Sequence, residues 1–309
     1  MNIPKVNILL ATYNGNKYLK AQLDSLIAQT YPNINIYIRD DVSTDNTLDI
    51  INEYIKNNSS NKNIILLDNK GSNLRPPRSF YQILTECDSA DYYAFCDQDD
   101  IWHPDKIKWA VEELEKKRDL QKPLVYFSSY DYYTDDGTFI RHSPIQKEHI
   151  SLNDVLYYTP ASGFLLVFNN MARQQFFLDV DPGTEMHDRW LLRCCACFGD
   201  TIYDHRCSAY HIRHAEAVTS EDSGTINLLK GFIQKELLGS ASIEAKKHLH
   251  YFYKTFSNQF TTNQNHVLHL FTRKNSVFTQ LKKLFYPHSL RARIPGEIAL
   301  RILFLLGRA

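Results

Sequence analysis

The sequence has no excess of charge of either sign. Lys plus Arg and Asp plus Glu both total 35, a formal net charge of zero over 309 residues. No global field draws the chain to nucleic acid, so no nucleic-acid partner is expected and local charge must carry the function. Long apolar runs are missing as well: none reaches the roughly 18 residues that cross a bilayer. Met1 to Lys5 leads directly into an apolar strand pattern, without the basic region, apolar stretch and small-residue cleavage site of a secretory signal. Cysteine is scarce and irregular, at Cys87, Cys96, Cys194, Cys195, Cys197 and Cys207, in a chain large enough to fold without disulfide staples. A reducing, cytoplasmic setting is expected.

Several chemical signatures are absent too. There is no GxxxxGK(S/T) phosphate loop, no GxGxxG fingerprint, no HExxH and no GxSxG elbow, which removes the commonest P-loop, Rossmann, zincin and hydrolase arrangements. Cys194 and Cys197 form a CxxC followed by His205, Cys207, His211 and His214, so a zinc site is arithmetically open. Inside an apolar helix the two thiols read more simply as core side chains.

What is present is ample core: 43% hydrophobic residues, enough for an α/β domain and a second, smaller region. The first half alternates β-rich runs with helical patterns, as a mostly parallel sheet covered by helices does. Val6 to Ala11, Ile34 to Ile38, Ile64 to Leu67 and Tyr92 to Cys96 read as strands. Lys17 to Gln29, the stretch through Leu48, Ile51 and Tyr54, Phe80 to Leu84, and the turn after Pro104 through Ile107, Val111 and Leu114 read as helices. Leu124 to Ser128, Gly163 to Phe168 and Thr201 to Tyr203 are further strands, and Trp190 to Phe198 a helix ended by Gly199. From Ile226 onward the pattern is helical and basic. The boundary is placed near Ser220, giving domains at 1–220 and 221–309.

Three polar clusters fall where open α/β sheets bind ligands, at strand C-termini or at a helix start. Asp97-Gln98-Asp99-Asp100 follows the fourth strand directly. Three carboxylates in four residues repel one another, and a hard cation such as Mg2+ or Mn2+ relieves that repulsion while leaving positions for substrate phosphates. A solvated acidic turn before a helix is the plainer explanation. Asp40-Asp41 ends the second strand, where a carboxylate can accept the imide N–H of uracil or thymine, or a ribose hydroxyl. Capping accounts for Ser43 to Asp45 but leaves Asp40 and Asp41 without a structural task. Glu185-Met186-His187-Asp188-Arg189-Trp190 opens a helix, and Asp188 or Glu185 can serve as a general base for a hydroxyl. An acidic N-terminal turn is the alternative there.

Taken in order, Leu9 to Gly15, Arg39 to Thr47, Phe95 to Trp102 and His187 to Leu191 resemble the family 2 glycosyltransferases, inverting enzymes of the GT-A fold, over about residues 5 to 220. The wording is closest to bacterial members that build capsule, O-antigen or rhamnose-containing polysaccharides. The resemblance implies that Thr12, Tyr13, Asn14 and Asp41 hold the nucleotide. It also implies that Asp97 and Asp99, with Asp100 beside them, hold ribose, diphosphate and Mg2+ or Mn2+. Asp188 then becomes the base, and Arg213 and His214 assist with phosphate. The donor it implies is a nucleotide-diphosphate sugar, dTDP-rhamnose or a UDP-sugar, and the expected acceptor is a glycan or lipid-linked glycan. A sugar nucleotidyltransferase and a non-catalytic sugar-binding module are the rival readings. At the C-terminal end, Arg291, Arg293, Arg301 and Arg308 flank apolar Ile302 to Leu306, a pattern that fits either peripheral contact with the inner face of the cell membrane or a packed helix.

Overall fold

Val6–Thr12 (β1), Ile34–Asp40 (β2) and Tyr92–Cys96 (β4) are buried along almost their whole length, as strands covered on both faces must be. They belong to a computed structural model that describes residues 3–60, 62–118, 121–213, 239, 241–274 and 276–309. The described residues divide into two compact units, one from residues up to 150 and from 161 to 213, the other from 151–160 and the residues after 238. The boundary expected near Ser220 lies outside the described residues, as does His214.

The first unit is a mixed α/β layer structure. Asn63–Leu66 (β3), β2, β1 and β4 run parallel in that spatial order. The helices Leu19–Ile27 (α1), Thr47–Asn57 (α2) and Arg78–Glu86 (α3) make the crossovers. Beyond β4 the sheet becomes mixed. Asp100–Trp102 (β5) and Lys106–Glu115 (α4) precede Leu124–Thr134 (β6) and its hairpin partner Phe139–His142 (β7). Val167–Asn169 (β8) pairs antiparallel with both β4 and β6. Asn170–Arg173 (α5) follows it, and His187–Phe198 (α6) leads into Asp200–Arg213 (β9). β9 runs parallel to β6 and antiparallel to β5.

The expected elements are present, with instructive differences. Gly163 to Leu165 is a 3-10 turn, and the strand itself is only Val167–Asn169, one residue past the expected end at Phe168. A short apolar run cannot by itself distinguish a strand from a buried turn. β6 and β9 extend far past the expected Ser128 and Tyr203, because their half-exposed ends pair with each other and carry a mixed pattern. β5 was not expected; it forms inside the acidic motif by pairing with β9, more than 100 residues away.

The second unit is helical: Ala241–Thr255 (α7), Thr262–Thr272 (α8), Val277–Leu284 (α9) and Ile294–Leu305 (α10). Its core includes Tyr157, from the short 151–160 segment, whose ring lies 5.8 Å from Phe271 and 5.6 Å from Phe304. Asn153 of the same segment accepts a hydrogen bond from the Tyr286 hydroxyl at 2.7 Å. No described helix is long and apolar enough to cross a membrane.

Candidate functional site

The parallel register brings the ends of β1, β2 and β4 to one edge of the sheet: Thr12 pairs with Asp40, and Leu10 with Cys96. The three loops leaving that edge are laced together. The Tyr13 N–H donates to Gln98 Oε1 at 2.9 Å, and Gln98 Nε2 donates to the Tyr13 carbonyl at 3.0 Å. The Asn14 N–H donates to Ser43 Oγ at 2.9 Å, while Asn14 Oδ1 accepts the Thr44 N–H at 2.8 Å. Gly15 leaves room for this pairing, since an added Cβ would fall 2.4 Å from Gln98 Oε1 and displace the amide. Tyr13 itself is 48% exposed at the rim.

Asp40 and Asp41 do have structural tasks, contrary to the expectation from capping alone. Asp40 accepts the Thr12 hydroxyl at 2.9 Å and the Ser43 N–H at 2.8 Å. Asp41 is buried, ion-paired with buried Arg39, and accepts the Arg75 N–H at 2.8 Å together with the Ser79 hydroxyl. The ties to Thr12, Arg75 and Ser79 span distant parts of the chain, so no local pattern announces them. Asn14, Val42 and Arg75, all in these loops, adopt φ of 47°, 63° and 58°. Left-handed backbone at a β-branched residue such as Val42 is strained, and strain of this kind gathers at binding sites.

Asp97, Gln98 and Asp99 remain partly open to solvent, whereas Asp100 is buried. Burial raises the Asp97 carboxyl well above its ordinary range, and the negative charges of Asp100, Asp99 and Asp188 push in the same direction. Asp188, on a different element, is therefore close enough for Asp97 to feel its charge. Asp100 is held from behind: His211 Nδ1 lies 2.6 Å from its Oδ1, and its Oδ2 is buried without a hydrogen-bond partner among the described residues. Burial opposes charging the His211 ring, yet the bond to Asp100 prevails and its pKa is raised. Lys106 is wholly buried behind the motif, bonded to Ser208 Oγ at 3.0 Å and 4.8 Å from the Trp102 ring, with its pKa pulled down to about 7 by burial. The sequence showed Lys106 as the nearest base but gave no sign of this burial.

α6 carries Asp188 in its first turn. Burial raises the Asp188 carboxyl above its usual range while the Arg189 N–H, 2.7 Å away, holds one oxygen. Its neighbour His187 is buried, packed on Phe80 at 4.0 Å and Phe95 at 4.5 Å, with neither ring nitrogen hydrogen-bonded among the described residues. Burial pushes its pKa down to about 3. The backbone of Gly163 lies so close that an added Cβ would come 2.4 Å from His187 Nε2. This neutral, wedged imidazole fixes the start of α6 and so the place of Asp188. Glu185 is different: it is buried and both its oxygens lie within 2.7 Å of Arg193 Nη1, also buried. A carboxylate so paired is a structural anchor, and Glu185 drops out as a base.

Arg213 ends β9 half-exposed, its guanidinium 5.6 Å from the Tyr132 ring. Cys194 and Cys195 are buried free thiols within α6. Among the described residues no three His, Cys, Asp or Glu side chains form a ready-made metal cage. A hard divalent cation needs less here: crowded, partly open carboxylates, with only acids among the described residues acting on Asp97, fit an ion that completes its shell with water and substrate phosphates.

The sequence model of the family described as "Glycosyl transferase family 2" matches residues 7–177. Among curated proteins, the dTDP-rhamnosyl transferase RfbG of Shigella flexneri is 43% identical over 107 residues, 34% of this chain and 36% of that protein. The UDP-Glc:alpha-D-GlcNAc-diphosphoundecaprenol beta-1,3-glucosyltransferase WfaP of Escherichia coli is 34% identical over 128 residues, 41% of this chain and 46% of that protein. Each match thus spans less than half of the relative. Among solved structures, S. aureus TarS 1-349 in complex with UDP-GlcNAc superposes with a TM-score of 0.58 at 15% identity, over 97% of this chain and 79% of that one. At that identity the likeness speaks for the fold alone, which is GT-A.

Proposed function

The chain belongs to glycosyl transferase family 2, and on that footing we propose that it moves a sugar from a nucleotide-diphosphate donor to a hydroxyl of a growing cell-surface glycan, inverting the anomeric centre. The observation that carries this reading is the packing of the start of α6 on the end of β4: His187 lies 4.5 Å from Phe95, and the charge of Asp188 reaches the Asp97 carboxyl. On this reading one carboxylate is assigned to the acceptor proton and the others to a diphosphate and its cation.

In this reading Thr12, Tyr13 and Asn14 form the turn against which the nucleotide lies. The Tyr13 ring offers the exposed face. Asp41 builds the wall behind it, with its carboxylate committed to Arg39, Ser79 and the Arg75 N–H. Asp97 and Asp99 are the residues that would hold Mg2+ or Mn2+, which when bound supplies Lewis-acid stabilisation of the departing diphosphate. Asp188 accepts the proton of the acceptor hydroxyl as that oxygen bonds to the anomeric carbon. The bond from that carbon to the donor phosphate breaks on the opposite face, releasing nucleoside diphosphate. Arg213 and His214 are assigned to the phosphates. Catalysis is assigned to residues 1–220, with 221–309 as a separate helical region.

The donor is proposed to be dTDP-rhamnose or a UDP-sugar, the two classes named for the relatives above. The acceptor is proposed to be a glycan or lipid-linked glycan. The test is to incubate the protein with Mn2+ and each candidate donor, with and without acceptor glycans, and measure released nucleoside diphosphate. Acceptor-dependent release from one donor supports transfer. Binding without release from any donor would indicate a sugar-binding module, and pyrophosphate exchange a nucleotidyltransferase.

A further inference from the structure

The helical unit turns two apolar rows to solvent. On α9 these are Val277, Phe278 and Leu281, continued by Phe285 just past its end, with Phe285 78% and Val277 74% exposed. On α10, Ile294, Ile298 and Ile302 recur every four residues, which places them on one side of the helix, and all three are exposed. The opposite side of α10 is packed: Leu300, Leu303 and Phe304 are buried. The packed-helix reading of the C-terminal sequence is met by one face of α10, while the other face stands open. A paired set of exposed rows this large is more than scattered surface hydrophobicity.

Charge says what covers it. Residues 273–309 contain eight Lys and Arg residues and a single acid, Glu297. That acid is already consumed: its carboxylate pairs with Arg301 at 2.5 Å and accepts the Leu290 and Arg291 N–H groups at 2.7 and 2.9 Å. Arg301 in turn donates to the carbonyls of Lys283, Leu284, Tyr286 and His288, so it braces α9 against α10 and is withdrawn from the surface role its sequence position implied. Lys274, Lys282 and Arg293 stay exposed beside the rows, with Lys282 Nζ 4.4 Å from the Phe278 ring. Exposed aromatic and aliphatic side chains interleaved with cations suit an interface that is apolar below and anionic at its surface.

We propose that the α9–α10 face docks on an anionic phospholipid membrane surface, with the two apolar rows entering the acyl boundary and Lys274, Lys282 and Arg293 meeting lipid phosphates. The proposal does not depend on the reading of the catalytic site, and its test reads binding only. The full chain is sedimented with vesicles of equal parts phosphatidylglycerol and phosphatidylcholine, and with phosphatidylcholine alone, at low and high salt. Binding to the anionic vesicles is expected to be at least roughly tenfold tighter and to weaken with salt. The double variant Phe278→Asp/Ile298→Asp, both at exposed positions, should lose most of it with an unchanged melting temperature. Should that variant fold poorly, Lys274→Glu/Lys282→Glu/Arg293→Glu decides by the same loss. Equal binding to both vesicle types, no binding to either, or wild-type binding by folded variants would overturn the proposal. So would an apolar variant that only turns a self-associated chain into monomers, since the face would then be covered by a second copy.

Discussion

Tyr13 and Gln98 exchange two hydrogen bonds, at 2.9 and 3.0 Å, across the gap between the loops that follow β1 and β4. The pairing joins the turn assigned to the nucleotide with the loop assigned to the diphosphate, and Gln98 is the one residue of the acidic motif without a charge. In sequence it reads as a spacer between aspartates. In the structure it sets how far the rim of the site stands from its acidic floor.

Gly15→Ala tests this coupling, because the new Cβ would fall 2.4 Å from Gln98 Oε1 and force the amide away. Losing the pair should cost donor affinity about 1–2 kcal/mol, roughly tenfold, with little change in folding. Calorimetric titration with the nucleoside diphosphate reads it directly. Unchanged affinity would mean that the two loops are positioned independently.

Val42→Gly should make the protein more stable. A β-branched residue at a φ of 63° costs about 1–2 kcal/mol, and Val42 is 37% exposed, so little packing is lost. After allowing for the greater freedom of glycine in the unfolded chain, a net gain of about 0.5–1 kcal/mol is expected in urea denaturation. A loss of stability would show that the Val42 side chain packs better than its exposure implies.

Much of this arrangement was legible in the sequence, and the reasons for the exceptions are specific. The ends of β1, β2 and β4 were found because buried parallel strands read as continuous apolar runs, and polar residues at their ends stand out. Asp97 and Asp99 stand out on that ground and Asp188 as an acid opening a helix, and the charge of Asp188 reaches the Asp97 carboxyl. His211 was set aside with the cysteines, because its partner Asp100 lies 111 residues away and only the β5–β9 pairing brings them together. Glu185 and Asp188 looked interchangeable, three residues apart on one motif. What separates them is Arg193, which buries against the first and leaves the second half-exposed.

Glu185→Gln should therefore fail as a protein before it fails as a catalyst. Removing one partner of a buried ion pair leaves Arg193 uncompensated and costs about 3–5 kcal/mol, a large part of the stability of a domain this size. Thermal melting should show the loss, and Glu185→Gln/Arg193→Met should recover much of it. A Glu185→Gln variant that melts like wild type would contradict the structural assignment.

Chelation addresses the acidic loop. EDTA is expected to abolish sugar transfer and Mn2+ or Mg2+ to restore it, while Asp99→Ala should lose both turnover and cation-dependent donor binding. Full activity in EDTA would remove the cation from the account and leave the raised Asp97 pKa as the means by which the acidic cluster is tolerated.

The most direct test of the central claim is turnover in Asp188→Asn, measured beside donor affinity. The amide keeps the size of the side chain and can still accept the Arg189 N–H, so α6 and its buried His187 should be undisturbed. It cannot take the acceptor proton at neutral pH, so kcat should fall by about 10²–10⁴-fold. Nucleotide binding, left to Tyr13, Asp97 and Asp99, should hardly change. A variant that binds donor normally and transfers sugar at near wild-type rate would show that the base lies elsewhere and that Asp188 serves only to begin a helix.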